Sequence, residues 1–189
     1  MVKSAAQTLE PAVLWFTGLS GAGKSTIAGE VYRRLLALGL NVEYLDGDAI
    51  RNLFPNTGFT KPERDAHVRR VGFLASRLEH HGVFVVCALI SPYTESRAAV
   101  RDLCRRFIEI HVSTPLDECE RRDVKGLYRR ARRGEITNFT GIDDVYEDPS
   151  QPELRIDTTN VSVADAADLV MVELEATPRV ARPARVARG

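Results

Sequence analysis

The chain has 189 residues, of which 44% are hydrophobic and 28% are charged. These values fit one globular domain with a sizeable core, and they exclude a disordered, collagen-like or disulfide-scaffold chain. Twenty-six Lys and Arg residues balance twenty-six Asp and Glu residues, so the molecule as a whole presents no strong field to nucleic acid or to an anionic membrane. Any site for an anion must therefore be local.

The cysteines and the apolar runs indicate the compartment. Cys87, Cys104 and Cys119 lie far apart and show neither CxxC nor Cys/His ligand spacing, which argues against a disulfide framework and against structural zinc. The longest apolar run, residues 83–90, is well short of the roughly 20 residues that a membrane-spanning helix requires. The N-terminal residues also lack the hydrophobic run of a secretory signal. We expect a cytoplasmic protein with no membrane or nucleic-acid partner.

The first part of the chain alternates apolar runs with helical patterns. Residues 12–17 (AVLWFT) predict a strand, and a helix follows over about 24–39. The apolar stripe of this helix consists of Ile27, Val31, Leu35 and Leu38. Residues 41–46 (NVEYLD) predict a second strand, which an irregular stretch connects to a helix over about 61–82.

The same rhythm continues to the C-terminus. Residues 83–90 (VFVVCALI) are apolar on both faces, as expected of a strand inside a parallel sheet covered by helices, and the helix after them carries Ala98, Val100 and Leu103. The remaining predicted elements are a strand at 107–112, a short helix near 115–121, a helix plus a functional loop at 125–149, a weak strand at 154–157 and a helix at 162–175.

Alternating strands and helices determine the fold class. They require crossover connections, which are right-handed almost without exception, so we predict an α/β fold: a three-layer sandwich around a parallel sheet. The predicted organisation is one domain at 12–176 between an N-terminal tail at 1–11 and a disordered C-terminal tail at 177–189.

A phosphate-binding loop lies between the first strand and the first helix. Residues 18–25 (GLSGAGKS) match G-x-x-x-x-G-K-[ST] in the context that this motif requires. Its glycines let backbone N–H groups curl around phosphate oxygens, and the helix directs its positive end there. Lys24 adds a mobile cation, and Ser25 is the expected magnesium ligand. The motif predicts nucleoside triphosphate binding.

The P-loop leaves open whether the γ-phosphate passes to water or to an acceptor. The sequence contains no Asn-Lys-x-Asp segment of the kind that reads the base in GTPases, and it is shorter than most large ATPase machines. A small-molecule kinase is the better class.

Two acidic residues lie at the end of the second strand. Asp46 and Asp48 flank Gly47, and Arg51 comes one helical step later. Ligands of open parallel sheets gather beyond the carboxyl ends of the strands, so both carboxylates should face the same crevice as the P-loop. One of them, Asp46 or Asp48, could orient magnesium, and the other could accept the proton of an attacking hydroxyl. The alternative is an ordinary Asp-Gly-Asp surface turn.

Six motifs in order resemble the adenylylsulfate kinase family from about Leu14 to Leu174. They are GLSGAGKST (18–26), LDGDAIR (45–51), RRVG (69–72), ISPY (90–93), DVKGLYRRARRGEI (123–136) and NFTGIDDVYEDP (138–149). The resemblance implies a P-loop sandwich of the nucleoside-monophosphate-kinase type that transfers the γ-phosphoryl of MgATP to the 3′-hydroxyl of adenosine 5′-phosphosulfate (APS). The products would be 3′-phosphoadenosine 5′-phosphosulfate (PAPS) and ADP. A homodimer, and an ATP sulfurylase as pathway neighbour, are also implied.

The motifs assign the site residues. ATP is expected at Gly18, Leu19, Ser20, Gly21, Ala22, Gly23, Lys24, Ser25 and Thr26, and catalysis at Lys24, Asp48 and Lys125. The expected APS contacts are Asp48, Arg51, Phe59, Arg64, His67, Ile90, Ser91, Lys125, Gly126, Leu127 and Phe139.

Within this set the resemblance implies specific roles. The adenine of APS would stack between Phe59 and Phe139, which lie in polar loops where a core role is less natural. Arg51, Arg64 and Lys125 would hold phosphosulfate or reacting phosphate oxygens.

Two positions leave the mechanism open. Ser91 would sit at the end of a strand and point into the crevice. The family has a proposed phosphoserine intermediate at this serine, but no base is evident beside it, so direct transfer with Ser91 bonded to the acceptor is favoured. His67 replaces the asparagine common in the family, and an imidazole changes charge near pH 6–7, so we expect acceptor affinity to depend on its protonation.

Two other functions remain open at the sequence level. One is a P-loop kinase of another nucleotide or a small alcohol, which the departure at His67 allows. The other is a nucleotide-binding regulatory module that has lost transfer. The presence of Lys24, Ser25, Asp48 and Lys125 argues against the regulatory module.

Overall fold

A computed structural model of the chain describes residues 9–54 and 57–177. Its centre is a five-stranded sheet with all neighbouring strands parallel, in the order β2-β3-β1-β4-β5. The strands are β1 (Val13–Thr17), β2 (Val42–Asp46), β3 (Phe84–Ala88), β4 (Phe107–Val112) and β5 (Leu154–Ile156). The helices within the described residues are α1 (Lys24–Ala37), α2 (Gly47–Asn52), α3 (Lys61–His80), α4 (Thr94–Leu103), α5 (Leu116–Arg122), α6 (Leu127–Arg132) and α7 (Val163–Ala176). The predicted α/β sandwich is confirmed.

The sheet has a buried core on each face. In β1, Leu14 and Phe16 belong to the core under α1 and α7, whereas Val13 and Trp15 belong to the core under α3 and α4. Successive side chains of a strand point to opposite faces, so a strand covered on both sides must be apolar throughout. All five residues of β1 are buried, and so are those of β3.

The region after β2 differs from the prediction. The sequence predicts an irregular stretch there, yet Gly47–Asn52 form α2, which is too short to show a helical period. Asp46 begins this helix, because its Oδ1 accepts from the backbone N–H groups of Asp48 and Ala49, at 2.9 Å each. Asp46 therefore has a capping role that the motif alone does not reveal.

Two predicted apolar stripes are partly wrong. Leu38 is 59% exposed, because α1 ends at Ala37 and Leu38 is only its C-terminal cap. In α4 the buried residues are Ser96, Arg97 and Val100 instead of Ala98 and Leu103. Arg97 can be buried because its Nε lies 2.9 Å from Glu109 Oε1, which pairs its charge.

The two predicted tails fall largely on residues 1–8 and 178–189, which lie outside the described residues. Near them, Leu9 packs against the core, and the Arg106 guanidinium donates to the carbonyls of Glu10 and Thr177. No helix in the described part of the chain is long and apolar enough to span a membrane.

Candidate active site

The P-loop joins β1 to α1 and owes its shape to its glycines. Gly18, Gly21 and Gly23 have φ of +143°, +75° and +102°, values that side-chain-bearing residues rarely adopt. A Cβ on Gly18 would also lie 2.3 Å from the Val112 carbonyl oxygen. Because α1 begins at Lys24, its free N–H groups open into this loop, as an anion site requires.

Three side chains hold the P-loop from outside. Thr114 Oγ1 and Thr158 Oγ1 donate to the Ala22 carbonyl at 3.0 and 2.9 Å, and Tyr128 Oη donates to the Ser20 carbonyl at 2.9 Å. These bonds satisfy the loop's carbonyls, so its N–H groups can face a phosphate. Sequence patterns do not reveal this role: Thr114 and Thr158 lie outside the six motifs, and the motif that contains Tyr128 does not show that its hydroxyl reaches the P-loop.

Lys24 lies inside the loop with only 8% of its surface exposed. Its Nζ donates to the Leu19 carbonyl at 2.7 Å. Burial disfavours the ammonium and lowers the pKa of Lys24 to about 8, although the nearby Asp48 carboxylate acts in the opposite direction. Phosphate oxygens would stabilise the protonated form, which is the form that neutralises charge on a transferring phosphoryl.

The oxygen ligands expected for magnesium lie beside the loop. Ser25 and Thr26 are exposed on the first turn of α1, and the Ser25 hydroxyl interacts with the Tyr44 hydroxyl of β2. Asp46 is the last residue of that strand, and Asp48 lies two residues beyond it. No group of three His, Cys, Asp or Glu side chains in the described residues could enclose a metal ion. Mg²⁺ instead keeps several waters and takes one or two protein oxygens beside the phosphates. The oxygens of Ser25, Asp46 and Asp48 fit this requirement.

Asp48 and Lys125 meet at the mouth of the site. Asp48 Oδ2 lies 2.8 Å from Lys125 Nζ, and the two side chains are 73% and 65% exposed. This hydrogen bond holds the pKa of Asp48 below its ordinary value and raises the pKa of Lys125. Gly126, at φ +66°, is the N-cap of α6, and Leu127, the first residue of that helix, packs against the core. The structure thus brings the predicted catalytic residues Asp48 and Lys125 into contact.

Phe59 is an accessible aromatic face at the acceptor side. It is 53% exposed, and the Arg51 guanidinium carbon lies 4.6 Å from its ring centroid. Arg51 Nη1 also donates to the Gly58 carbonyl at 2.6 Å. Phe59 therefore presents an exposed ring with Arg51 over it, and its role in stacking adenine stays a prediction.

Phe139 lies differently from the prediction. It is only 7% exposed and packs edge-on against Tyr128, with the ring centroids 5.0 Å apart. The expectation that both phenylalanines stand outside the core is therefore correct for Phe59 and wrong for Phe139. The burial of Phe139 depends on a tight turn around Asp143, which the sequence pattern does not show. In this turn the Asp143 carboxylate accepts from the N–H groups of Asn138 and Phe139 at 2.7 and 2.6 Å.

The Arg64 guanidinium donates hydrogen bonds to two backbone carbonyls. Arg64 is 6% exposed, its Nε donates to the Phe59 carbonyl at 2.8 Å, and its Nη2 donates to the Asn138 carbonyl at 2.6 Å. Asp144 Oδ2 lies 3.6 Å away. To hold phosphosulfate as predicted, the Arg64 guanidinium would have to give up some of these contacts.

His67 is buried and neutral at physiological pH. It is 2% exposed, and its Nε2 lies 3.0 Å from the Gly47 carbonyl, so Nε2 carries the proton. Burial, with the nearby Arg51 charge, lowers the pKa of His67 to about 4. The expected change of charge near pH 6–7 is therefore wrong. Its Nδ1 is buried with no hydrogen-bond partner among the described residues.

Ser91 points inward. It is 2% exposed, its hydroxyl accepts from Trp15 Nε1 at 3.0 Å, and it donates to Thr17 Oγ1 at 2.9 Å. Its backbone is in the left-handed region, at φ +39°. The preceding Ile90 is half-buried, and its carbonyl accepts from Thr17 Oγ1 at 2.7 Å. The expectation that the Ser91 hydroxyl faces the crevice is wrong in this structure.

Comparison with known proteins identifies the family. The family model described as adenylylsulphate kinase matches residues 10–157. The chain belongs to the adenylylsulphate kinase family. An adenylyl-sulfate kinase of Synechococcus sp. (strain JA-3-3Ab) is 52% identical over 162 residues, which are 85% of this chain and 92% of that protein.

Two solved structures extend the comparison. The structure of the Mycobacterium tuberculosis APS kinase CysC in complex with AMPPNP and APS is 42% identical, with a TM-score of 0.84, and the match covers 88% of this chain and 98% of that one. A hexameric APS kinase from Thiobacillus denitrificans is 34% identical, with a TM-score of 0.67, over 89% of this chain and 29% of that one. The family and the fold found by these comparisons are those expected of a chain that carries this P-loop and the Asp48–Lys125 pair.

Proposed function

We propose that this chain transfers the γ-phosphoryl of MgATP to the 3′-hydroxyl of APS, which yields PAPS and ADP. The observation that carries the proposal is the convergence of Lys24, Asp48 and Lys125 at one edge of the sheet, where their charges act on one another. Family membership, together with the APS complex of the similar tuberculosis kinase, supports the choice of acceptor.

In the proposed reaction the 3′-oxygen of APS forms a bond to the γ-phosphorus as the bond from that phosphorus to the β,γ-bridging oxygen breaks. The electron pair of the broken bond leaves with ADP, and the hydroxyl proton passes to a carboxylate, for which Asp48 is the candidate. Lys24 and Lys125 would stabilise the charge on the phosphoryl oxygens. Mg²⁺, held with ATP by Ser25 and by Asp46 or Asp48, would supply further positive charge.

The low pKa of Asp48 bears on its role. A carboxylate whose pKa is lowered is a weak base, so Asp48 can contribute little as a general base early in the transfer. Phosphoryl transfer has a loose transition state in most analyses, so positioning of the hydroxyl matters more than early removal of its proton. Asp48 fits this orienting role once the substrate displaces Lys125.

On the acceptor side we propose that adenine stacks on Phe59 and reaches Phe139 after a local movement, because Phe139 is covered in this structure. The other APS contacts proposed are Arg51, Arg64, His67, Ile90, Ser91, Gly126 and Leu127. For Arg64, His67 and Ser91 their buried bonds favour indirect contributions.

A coupled ADP-release assay tests the function, with APS, adenosine monophosphate, other nucleoside monophosphates and no acceptor as its arms. Of these acceptors, we expect only APS to support rapid release of ADP from ATP. One PAPS should form for each ADP released. Faster turnover of another acceptor would instead identify a kinase of another nucleotide or small alcohol. ATP binding without turnover of any acceptor would identify a regulatory module.

We also propose that the protein is a cytoplasmic homodimer. Its acceptor APS consists of sulfate joined to an adenylyl group, so we propose that an ATP sulfurylase, which makes this bond, supplies it. Cys87, Cys104 and Cys119 are all buried and no disulfide joins any two of them, which agrees with a reducing compartment. Light scattering of the purified protein tests the oligomeric state: a mass of two chains supports the dimer, and any other mass contradicts it.

A further inference from the structure

Lys125 lies in the turn between α5 and α6, where the backbone determines its position. The Lys125 side chain is 65% exposed, and the preceding Val124 is 82% exposed. The contact of Lys125 with Asp48 joins two exposed side chains, and such ion pairs are weak. The hydrogen bonds of the turn itself must therefore hold the Lys125 backbone in place.

Asp123 makes the hydrogen bonds that close this turn. Its N–H donates to the Cys119 carbonyl at 3.0 Å, and its own carbonyl accepts from the Gly126 N–H at 2.8 Å. Its carboxylate, only 8% exposed, accepts from the N–H groups of Tyr128 at 3.0 Å and Arg129 at 3.2 Å, at the start of α6. The backbone of Asp123 has φ +28°, a conformation that persists in a residue with a side chain only where such bonds hold it.

Both helices beside Asp123 contact the P-loop. In α5 the Cys119 carbonyl, which accepts from Asp123, lies so close to the loop that a Cβ on Gly21 would be 3.2 Å from its oxygen. In α6 the Tyr128 hydroxyl donates to the Ser20 carbonyl at 2.9 Å. The Asp123 bonds therefore link the Lys125 turn to the P-loop through the helix before it and through the helix after it.

The ammonium groups of Lys24 and Lys125 act on each other. Burial and, to a smaller extent, the Lys125 charge lower the pKa of Lys24. Two such cations stabilise the charge on one phosphoryl group best when their separation is set before the substrate binds. From this geometry we infer that Asp123 is a positioning residue that holds Lys125 in place relative to Lys24 and the P-loop. The inference rests on the proposed function.

A double-mutant cycle with Lys125 separates this role from a purely structural one. Asp123→Ala removes both acceptors of the α6 N–H groups and leaves Lys125 in the chain. We expect kcat to fall by about tenfold in the wild-type background and by less than about threefold in the Lys125→Ala background, because Asp123 acts through Lys125. A kcat that is unchanged in the wild-type background, or that falls by the same factor in both backgrounds, overturns the inference.

Ser162→Ala is the matched control, because the Ser162 hydroxyl caps α7 by accepting from the Asp165 N–H at 3.1 Å. We expect it to lower the melting temperature and to leave kcat unchanged. Asp123→Asn should keep kcat within about threefold of wild type, because an amide oxygen also accepts from helix N–H groups. A loss as large as that of Asp123→Ala would contradict a role through these hydrogen bonds. If Asp123→Ala does not fold, Asp123→Glu replaces it in the cycle, because it keeps both oxygens but displaces them by one methylene, and the same outcomes decide.

The pKa of Lys125 in the free protein gives a readout that needs no turnover. The hydrogen bond to Asp48 raises this pKa, so displacement of Lys125 should lower it. Trace acetylation of the protein across a pH series, read by mass spectrometry, measures it. We expect a lower Lys125 pKa in Asp123→Ala, as in Asp48→Asn, and the wild-type value in Ser162→Ala. Wild-type protein that forms no PAPS refutes the kinase proposal alone: a lower Lys125 pKa in Asp123→Ala still supports the positioning of Lys125, whereas an unchanged pKa overturns it.

Discussion

Lys125 Nζ and Asp48 Oδ2 are 2.8 Å apart, although Lys125 follows α5 and Asp48 lies in the first turn of α2. Both side chains are largely exposed, so the pair is accessible to substrate and contributes little to stability. A weak, exposed pair is easily opened by a substrate, and until then each partner keeps the other charged. The contact therefore places two proposed catalytic groups side by side without fixing them in one geometry.

Asp48→Asn should lower kcat by about 100-fold or more, because the amide keeps the shape but lacks the negative charge that orients the acceptor hydroxyl and holds a cation. The variant should remain folded, since the lost ion pair is exposed. Asp168→Asn, which breaks an exposed pair with Arg34 on α1, is the control and should keep full turnover. A loss of only a few fold in Asp48→Asn would move the role to Asp46.

Lys24→Met should abolish most transfer and leave the fold intact, because methionine fills a similar volume. It removes the charge and the hydrogen bond to the Leu19 carbonyl, which keeps the Ala22 N–H as a donor. Removal of one group that stabilises transition-state charge costs about 10²- to 10³-fold in kcat. Turnover and the melting temperature should be measured on the same preparation. Near wild-type kcat in folded protein would show that Lys24 does not act on the phosphates.

Ser91→Ala should still form PAPS, because the Ser91 hydroxyl is buried in bonds to Trp15 and Thr17. The main effect should be on stability: the Trp15 N–H loses its acceptor, which costs about 1–3 kcal/mol in urea unfolding. Thr159→Ala, whose hydroxyl bonds only the neighbouring exposed Asp157 among the described residues, is the control for loss of a hydroxyl. Trapping of a phosphoserine at Ser91 during turnover would refute direct transfer.

His67 should make the protein less stable at acidic pH. Its folded-state pKa, about 4, lies below the ordinary 6.5, so the unfolded chain binds more protons between these values. The stabilisation from the neutral imidazole is complete above pH 6.5 and is lost as the pH falls toward 4, by at most about 1.4 kcal/mol per pH unit.

His67→Gln tests this, because its amide can replace Nε2 as donor to the Gly47 carbonyl and does not titrate. The free energy of unfolding of the variant should decrease less than that of wild type between pH 7 and pH 5. His81→Gln, at an exposed position, should match wild type. Equal slopes for His67→Gln and wild type would mean that His67 titrates normally.

Much of the fold and part of the site follow from local sequence patterns. Strands that are apolar throughout predict a sheet buried on both faces, and the glycines of residues 18–25 predict a backbone that only they can adopt, so β1, the P-loop and α1 are foreseeable. The position of Asp48 is likewise foreseeable, because charged groups beyond strand ends meet at one edge of a parallel sheet. Lys125 lies between α5 and α6, and the motif at 123–136 marks it through the family resemblance alone.

The roles of Arg64, His67, Ser91 and Phe139 depend on residues distant in sequence. A motif gives the type of a side chain, whereas its direction depends on which carbonyl, hydroxyl or ring the fold places beside it. Arg64 finds the Asn138 carbonyl, and Ser91 finds the Trp15 indole, only after separate strands and helices have packed. Burying a polar group without a partner is costly, so packing and hydrogen bonding together turned these side chains inward.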